Sequence, residues 1–167
     1  MQNRLRRFID AVTAAEKTIA FTAFVVMLTA LLADVIGREV FAEGVFGSVR
    51  VAVYGLILCA MAGFGIATST GGHLRPKFLD GVLRGPAERP GMVLGQLASA
   101  AILAYLAYAA WQMAAFTRMI EERDIVLDTL VWPIQMALPA GFALSALKHL
   151  IFAIFPALLP QEKGMAE

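Results

Sequence analysis

The sequence predicts an all-α integral membrane protein with four transmembrane helices, because of its composition and the distribution of its charges. Of its 167 residues, 59% are hydrophobic and 16% are charged, whereas soluble domains carry roughly 25% charged residues. No Asp, Glu, Lys or Arg occurs within residues 18–33, 51–74, 90–117 or 129–147. A helix needs about 20 apolar residues to cross a bilayer, so each segment predicts one span. This pattern excludes a soluble globular domain, a disordered chain and a nucleic-acid binder.

The chain divides into a short N-terminal segment, a membrane domain at 18–155 and a tail. Residues 1–17 are basic and amphipathic, and such a segment can lie on the membrane surface before the chain turns inward. Its apolar face consists of Leu5, Phe8, Ile9 and Val12. Its basic residues are Arg4, Arg6, Arg7 and Lys17. We place the four spans at about 18–41, 50–70, 91–116 and 130–155. Residues 156–167 form the tail, which we expect to be loosely ordered.

The connections between spans are short and contain helix-breaking residues. Gly44 and Gly47 lie in the first connection, and Gly71 ends span 2. In the second connection, residues 76–84 predict a short amphipathic helix at the membrane interface. The third connection, 118–128, is acidic, and we expect its charges to be solvated.

Lysine and arginine predict that both termini are cytoplasmic. Ten of these residues fall on the side of the N-terminus, the second connection and the C-terminus, and four fall on the opposite side. Cytoplasmic loops carry the excess of positive charge. Trp111 and Trp132 then lie near the outer interface, where tryptophan is enriched.

Few ionisable residues accompany the spans. Asp34 and Arg38 are four residues apart in span 1 and can pair on one helix face. The pair is either a docking or gating element or a neutralised pair that fixes the depth of the helix. The second interpretation fits better, because neither residue reaches the centre of the bilayer.

No catalytic set, metal cluster or phosphate loop is visible, so the sequence predicts neither an enzyme nor a bound cofactor. His73 and His149 are the only histidines and lie on one membrane side. Two such residues could clamp a haem iron, but His73 follows two glycines in a loop. Cys59 is the only cysteine. The four uncharged segments lack the buried polar groups that transport or catalysis would need, which suits a scaffold better than a transport path.

Small residues suggest that the helices pack closely against each other or against a partner. They recur every four residues on spans 2, 3 and 4, and this spacing lets helix backbones approach in lipid. The three sets are Gly63, Ala67 and Gly71; Gly91, Gly95 and Ser99; and Ala137, Gly141 and Ser145. Pro133 and Pro139 lack an N–H and can bend span 4.

Several stretches resemble the small membrane subunit of tripartite ATP-independent periplasmic (TRAP) transporters. Glu16 precedes span 1, which ends in DVIGREVF at 34–41. Span 2 ends in GFGIATSTGGHL at 63–74, and span 4 contains TLVWP and LPAGF. The resemblance covers residues 16–155. The first connection departs from it, because AEGVFGSVR at 42–50 has one glutamate and no tryptophan where the family often has a tryptophan and paired glutamates.

The resemblance implies a sodium-driven importer of organic acids in the bacterial inner membrane. A periplasmic binding protein would deliver the substrate to a large multi-span subunit, which holds the substrate and sodium sites. This chain would be the fixed scaffold beside it, in contact with membrane lipids. The expected partner-contact or structural residues are Asp34, Arg38, Gly63, Ala67, Gly71, His73, Arg75, Trp132, Pro133, Pro139 and Gly141.

Two alternatives remain at this point. His73 and His149 suggest a haem-binding membrane anchor of a redox enzyme. Asp34 suggests a small stand-alone proton-coupled exporter, although such a protein needs a carboxylate nearer the middle of the membrane.

Overall fold

The computed structural model describes residues 2–71 and 88–159, and in this part the chain is helical apart from short connections. Within the described residues, four helical segments are long and apolar enough to cross a membrane: Gln2–Phe41, Ser48–Thr70, Pro90–Met119 and Trp132–Ile154. The predicted fold class is therefore confirmed. The expected helix at 76–84 and the tail beyond residue 159 lie outside the described residues.

Helix α1, Gln2–Phe41, is 40 residues long. It runs without a break through the basic amphipathic segment and span 1, so the chain does not turn at residue 17. At 1.5 Å per residue the helix is about 60 Å long, twice the roughly 30 Å of hydrocarbon in a bilayer. One end of α1 must therefore project from the membrane or the helix must tilt.

Helix α2, Ser48–Thr70, begins and ends at glycines. Gly47 and Gly71 have φ angles of 77° and 73°, in the left-handed region that glycine adopts without strain. The N–H of Gly71 bonds to the carbonyl of Ala67, which satisfies one of the free carbonyls at the helix end.

The second half of the chain contains α3, Glu88–Met119, α4, Trp132–Gln135, and α5, Ala137–Ile154. Span 4 is interrupted at Met136, between α4 and α5, three residues before Pro139. Pro133 lies in the first turn of α4, where a helix does not use the missing N–H. The carbonyl of Thr129, which lies four residues before Pro133 and so receives no N–H from it, accepts the N–H of Asp124 at 2.9 Å.

The helices pack in the order α1, α2, α5 and α3. Glycine allows the close contacts: a Cβ at Gly55 would lie 3.0 Å from the carbonyl oxygen of Ala23, and one at Gly141 would lie 2.7 Å from Met61 Cε. At one end of the bundle, Ile9 of α1 packs with Ile151 and Phe152 of α5. This cluster brings the first and last spans together.

Candidate functional site

A buried ion pair joins α1 to α5 inside the bundle. Lys148 Nζ lies 2.7 and 2.6 Å from the two carboxylate oxygens of Glu16 and 2.8 Å from the carbonyl oxygen of Gly65 in α2. Lys148 is 1% exposed and Glu16 is 6% exposed. All three N–H groups of the ammonium have acceptors, so its hydrogen-bonding capacity is used. The pair therefore fastens three helices at one point.

Gly65 makes room for this pair. A Cβ at position 65 would overlap the carboxylate of Glu16. Beside it, Thr13 Oγ1 of α1 donates to the carbonyl of Ile9 and lies 2.8 Å from Ser69 Oγ of α2. A buried charge is very costly unless it is paired and hydrogen-bonded, and both requirements are met here.

The charge pattern of the sequence did not predict this buried pair. Glu16 and Lys148 lie just outside the uncharged segments 18–33 and 129–147, so the pattern of charges alone does not indicate that they are buried. One signal could have found Lys148, since it shares the packing face of α5 with Gly141 and Ser145 at spacings of four and three. Ser145 is fully buried, like the lysine. The location of Glu16 opposite this lysine depends on tertiary packing.

At the other end of α1, Asp34 and Arg38 form the ion pair that their spacing predicts. Arg38 Nε lies 2.9 Å from Asp34 Oδ2, with Asp34 buried and Arg38 largely exposed. Gly44 packs over the pair, since a Cβ there would be 2.7 Å from Asp34 Oδ1. The first connection is therefore held against the end of α1 by its glycine.

A second carboxylate, Asp124, organises the third connection. Its Oδ1 accepts the backbone N–H groups of Val126 and Leu127 at 2.8 and 3.0 Å. Its Oδ2 accepts the hydroxyl of Tyr54 at 2.9 Å and lies 3.6 Å from Arg50 Nε. These contacts join the third connection to the first turns of α2. We call Asp124 and these four partners the Asp124 knot.

The hydrogen bonds and the nearby positive charge lower the pKa of the Asp124 carboxyl. The N–H of Leu127, with that of Val126, the Tyr54 hydroxyl and the Arg50 charge, holds the pKa of this carboxyl below its usual range, although burial opposes the shift. Asp124 is only 8% exposed. The expectation of a uniformly solvated acidic connection is therefore wrong at this residue.

Leu127 and Trp132 hold the third connection against its neighbours: Leu127 contacts the start of α2, and Trp132 contacts Arg118 of α3. A Cβ at Gly47 would lie 2.5 Å from Leu127 Cδ2, so the leucine packs directly on the glycine that begins α2. The guanidinium of Arg118 lies 5.1 Å from the centre of the Trp132 ring, within the range of a cation–π contact. Ile125, at the tip, is 94% exposed.

The small-residue sets divide between internal and outward faces. Gly141 packs against Met61 of α2, so the span 4 set is used inside the chain. A Cβ at Gly63 or Gly95 would meet no atom of the described chain within 4 Å. These two glycines, on α2 and α3, leave outward surfaces to which another helix could come close.

Of the two histidines, His149 lies in the described chain. Its Nδ1 is 2.6 Å from Gln96 Oε1, which links α5 to α3. Two further expected site residues, His73 and Arg75, lie outside the described residues. Pro139 is buried in the first turn of α5.

Comparison with known proteins identifies the family. No curated protein matches the sequence. A family model described as "Tripartite ATP-independent periplasmic transporters, DctQ component" matches residues 27–156. Since that match covers well over half of the chain, the protein belongs to the family of DctQ components of TRAP transporters.

Proposed function

We propose that this chain is the fixed scaffold subunit of a sodium-coupled transporter that imports organic acids. Its partners would be a large multi-span subunit, which binds the substrate and sodium, and a periplasmic binding protein that delivers the substrate. Family membership supports this assignment and makes the chain a transporter component rather than an enzyme. Family membership therefore argues against a haem anchor and a stand-alone exporter.

One structural observation carries the scaffold role. The charged side chains buried in the described helices, Glu16, Asp34 and Lys148, are all ion-paired within the chain. A group that binds a passing ion must be able to exchange partners, whereas breaking a buried pair leaves an uncompensated charge at a cost of about 3–5 kcal/mol. These pairs suit helices that keep their positions.

We further propose that both termini are cytoplasmic and that the membrane is the bacterial inner membrane. The Asp124 knot and the Asp34–Arg38 pair would then face the periplasm. There, Phe46 and Ile125 are 80% and 94% exposed and offer apolar contact to a periplasmic partner. The excess of Lys and Arg on the side of the termini supports this orientation.

A labelling experiment tests the orientation. In a Cys59→Ser background, an Ile125→Cys variant should react with a membrane-impermeant maleimide in cells whose inner membrane is intact. The matched control is Gln2→Cys, near the other end of α1, which should react only after lysis. Reversed labelling would overturn the proposed orientation.

Reconstitution tests the function. Proteoliposomes with this chain, its large subunit and the binding protein should take up a carboxylate when a sodium gradient is applied. Vesicles with this chain alone should show no uptake, and vesicles without it should show a strong loss. Sodium-driven uptake by the single chain would contradict the scaffold role, and full uptake without the chain would contradict its place in the transporter.

A further inference from the structure

The first turns of α1 are fixed against the end of α5. Ile9 is buried in a cluster with Ile151 and Phe152. At 100° per residue, Arg7 lies about 160° and Arg4 about 140° around the helix from Ile9. The two arginines are therefore on the side of α1 that faces away from the bundle, and both are exposed.

The arginines at this end have no acidic partner in the described part of the chain. Arg4, Arg6 and Arg7 are exposed, and none of them makes an ion pair or a hydrogen bond through its side chain within residues 2–71 and 88–159. Asp10 is the only carboxylate among the first fifteen residues. Like charges one helical turn apart are unfavourable, so an anion bound between Arg4 and Arg7 would remove a repulsion.

Two guanidinium groups at this spacing suit a phosphate. The Cβ atoms of residues three positions apart on a helix are about 5–6 Å apart, so both side chains can reach one anion. A guanidinium can donate two parallel hydrogen bonds to phosphate oxygens, and it is more weakly hydrated than the ammonium of lysine. A phosphate group has enough oxygens to accept hydrogen bonds from both arginines.

Anionic phospholipids bring phosphate within reach of this end of α1. Arg7 precedes Thr18, the first residue of the uncharged part of span 1, by eleven residues, which is about 16 Å of helix. Headgroups extend about 5–7 Å beyond the hydrocarbon, and the field of an anionic surface extends about 8–10 Å further. These two layers together match the length of helix between Arg7 and Thr18, and any tilt of α1 brings Arg7 closer.

Phe8 favours a phospholipid over an acidic segment of a protein. It lies one turn after Arg4 and directly after Arg7, and it is 44% exposed. A phospholipid offers a phosphate to the arginines and apolar groups to the ring, a combination typical of helices that contact the membrane interface. An acidic segment would satisfy the charges but leave the ring without an apolar contact.

We propose that Arg4 and Arg7 bind the phosphate of an anionic phospholipid at the N-terminal end of α1, with the ring of Phe8 against its glycerol and acyl groups. The packing of Ile9 holds the two arginines in place for this contact. The proposal requires α1 to cross a membrane, but it does not depend on the partner subunits of the transporter.

A lipid titration of the purified chain tests the proposal. In detergent micelles, phosphatidylglycerol should raise the midpoint temperature of unfolding, because a ligand that binds the folded chain stabilises it. Phosphatidylcholine with the same acyl chains has no net charge and should raise the midpoint much less. Equal shifts with the two lipids would overturn the preference for an anionic headgroup. An equal shift with inorganic phosphate would assign the arginines to a free anion and overturn the lipid.

Matched variants test the two arginines. Arg7→Gln should weaken the apparent affinity for phosphatidylglycerol about fivefold, the factor for one basic residue at an anionic surface, and Arg4→Gln/Arg7→Gln should weaken it about 25-fold. Arg123→Gln removes one exposed positive charge from the opposite end of the bundle and should keep the wild-type affinity.

Two outcomes would contradict this site. Equal weakening in Arg7→Gln and Arg123→Gln would reveal only a general effect of net charge. Wild-type affinity in Arg4→Gln/Arg7→Gln would also overturn the site, and if that variant loses the large subunit from the co-expressed complex, the arginines serve a protein contact instead.

Discussion

At one end of the bundle Glu16 is held by a lysine from another helix, and at the other end Asp124 is held by backbone N–H groups of its own connection. The difference follows from where each residue lies. Inside a helix the backbone N–H groups are already bonded, so Glu16 needs a cation supplied by a different helix. In an irregular connection the N–H groups of Val126 and Leu127 are free to serve the carboxylate. The first arrangement fastens helices, and the second shapes a loop.

The largest expected effect comes from breaking the ion pair between Glu16 of α1 and Lys148 of α5. Lys148→Met should lower the free energy of unfolding by about 3–5 kcal/mol, because it leaves Glu16 as an unpaired buried charge. Thermal unfolding of the purified chain in detergent measures this. Lys17→Met removes the same charge from an exposed position one residue from Glu16 and should change little.

The double variant Glu16→Met/Lys148→Met separates the cost of the unpaired charge from the value of the pair. It should recover most of the stability, since replacing both members of a buried pair by apolar residues is often neutral. A double variant that is less stable than Lys148→Met would show that the pair itself, with its bond to Gly65, is strongly stabilising.

Gly65→Ala should also lower the free energy of unfolding, by overpacking the space around the Glu16–Lys148 pair. The new Cβ would overlap the Glu16 carboxylate, and overpacking costs about 1–3 kcal/mol. Gly63→Ala, two residues away on the same helix, adds a Cβ that meets no described atom. It should be neutral or slightly stabilising in the same unfolding measurement. Equal losses in both variants would contradict the account of Gly65.

At the connection end, Gly47→Ala should lower the free energy of unfolding by about 1–2 kcal/mol. An alanine at a φ of 77° is strained, and its Cβ would collide with Leu127. Chemical unfolding of the isolated chain measures the loss. Gly95→Ala, whose Cβ would lie in open space within a helix, is the control that should show no loss.

The smallest expected effect is the response of the Asp124 knot to acid. Its carboxyl has a lowered pKa in the folded chain, so its stabilisation is present above the unfolded pKa of about 3.9 and is lost as the pH falls through the folded value. The amide NMR signals of Val126 and Leu127 should therefore titrate with a midpoint below the ordinary aspartate pKa of about 3.9. Asp124→Asn should abolish this movement; an identical titration in that variant would assign it to another group.

Local features at both ends of the bundle could be predicted from the sequence, because they involve residues that are close in the chain. Asp34 and Arg38 pair across one helical turn, and Gly71 ends a helix by its backbone conformation. The Asp124 knot was missed, because an acidic run gives no sign of which carboxylate turns inward. Tyr54 and Arg50, its partners, are about 70 residues away in the chain.

The sequence by itself determined the class of protein, the number of spans and the resemblance to its family. Hydrophobicity over 20 residues depends only on composition, and the bilayer imposes that length on every crossing helix. Tertiary structure decided which charges are buried and which helix faces are exposed. Glu16 and Lys148 are 132 residues apart, and they meet only because α1 and α5 both pack on α2. Such facts depend on how separate helices are rotated against each other, which no local pattern specifies.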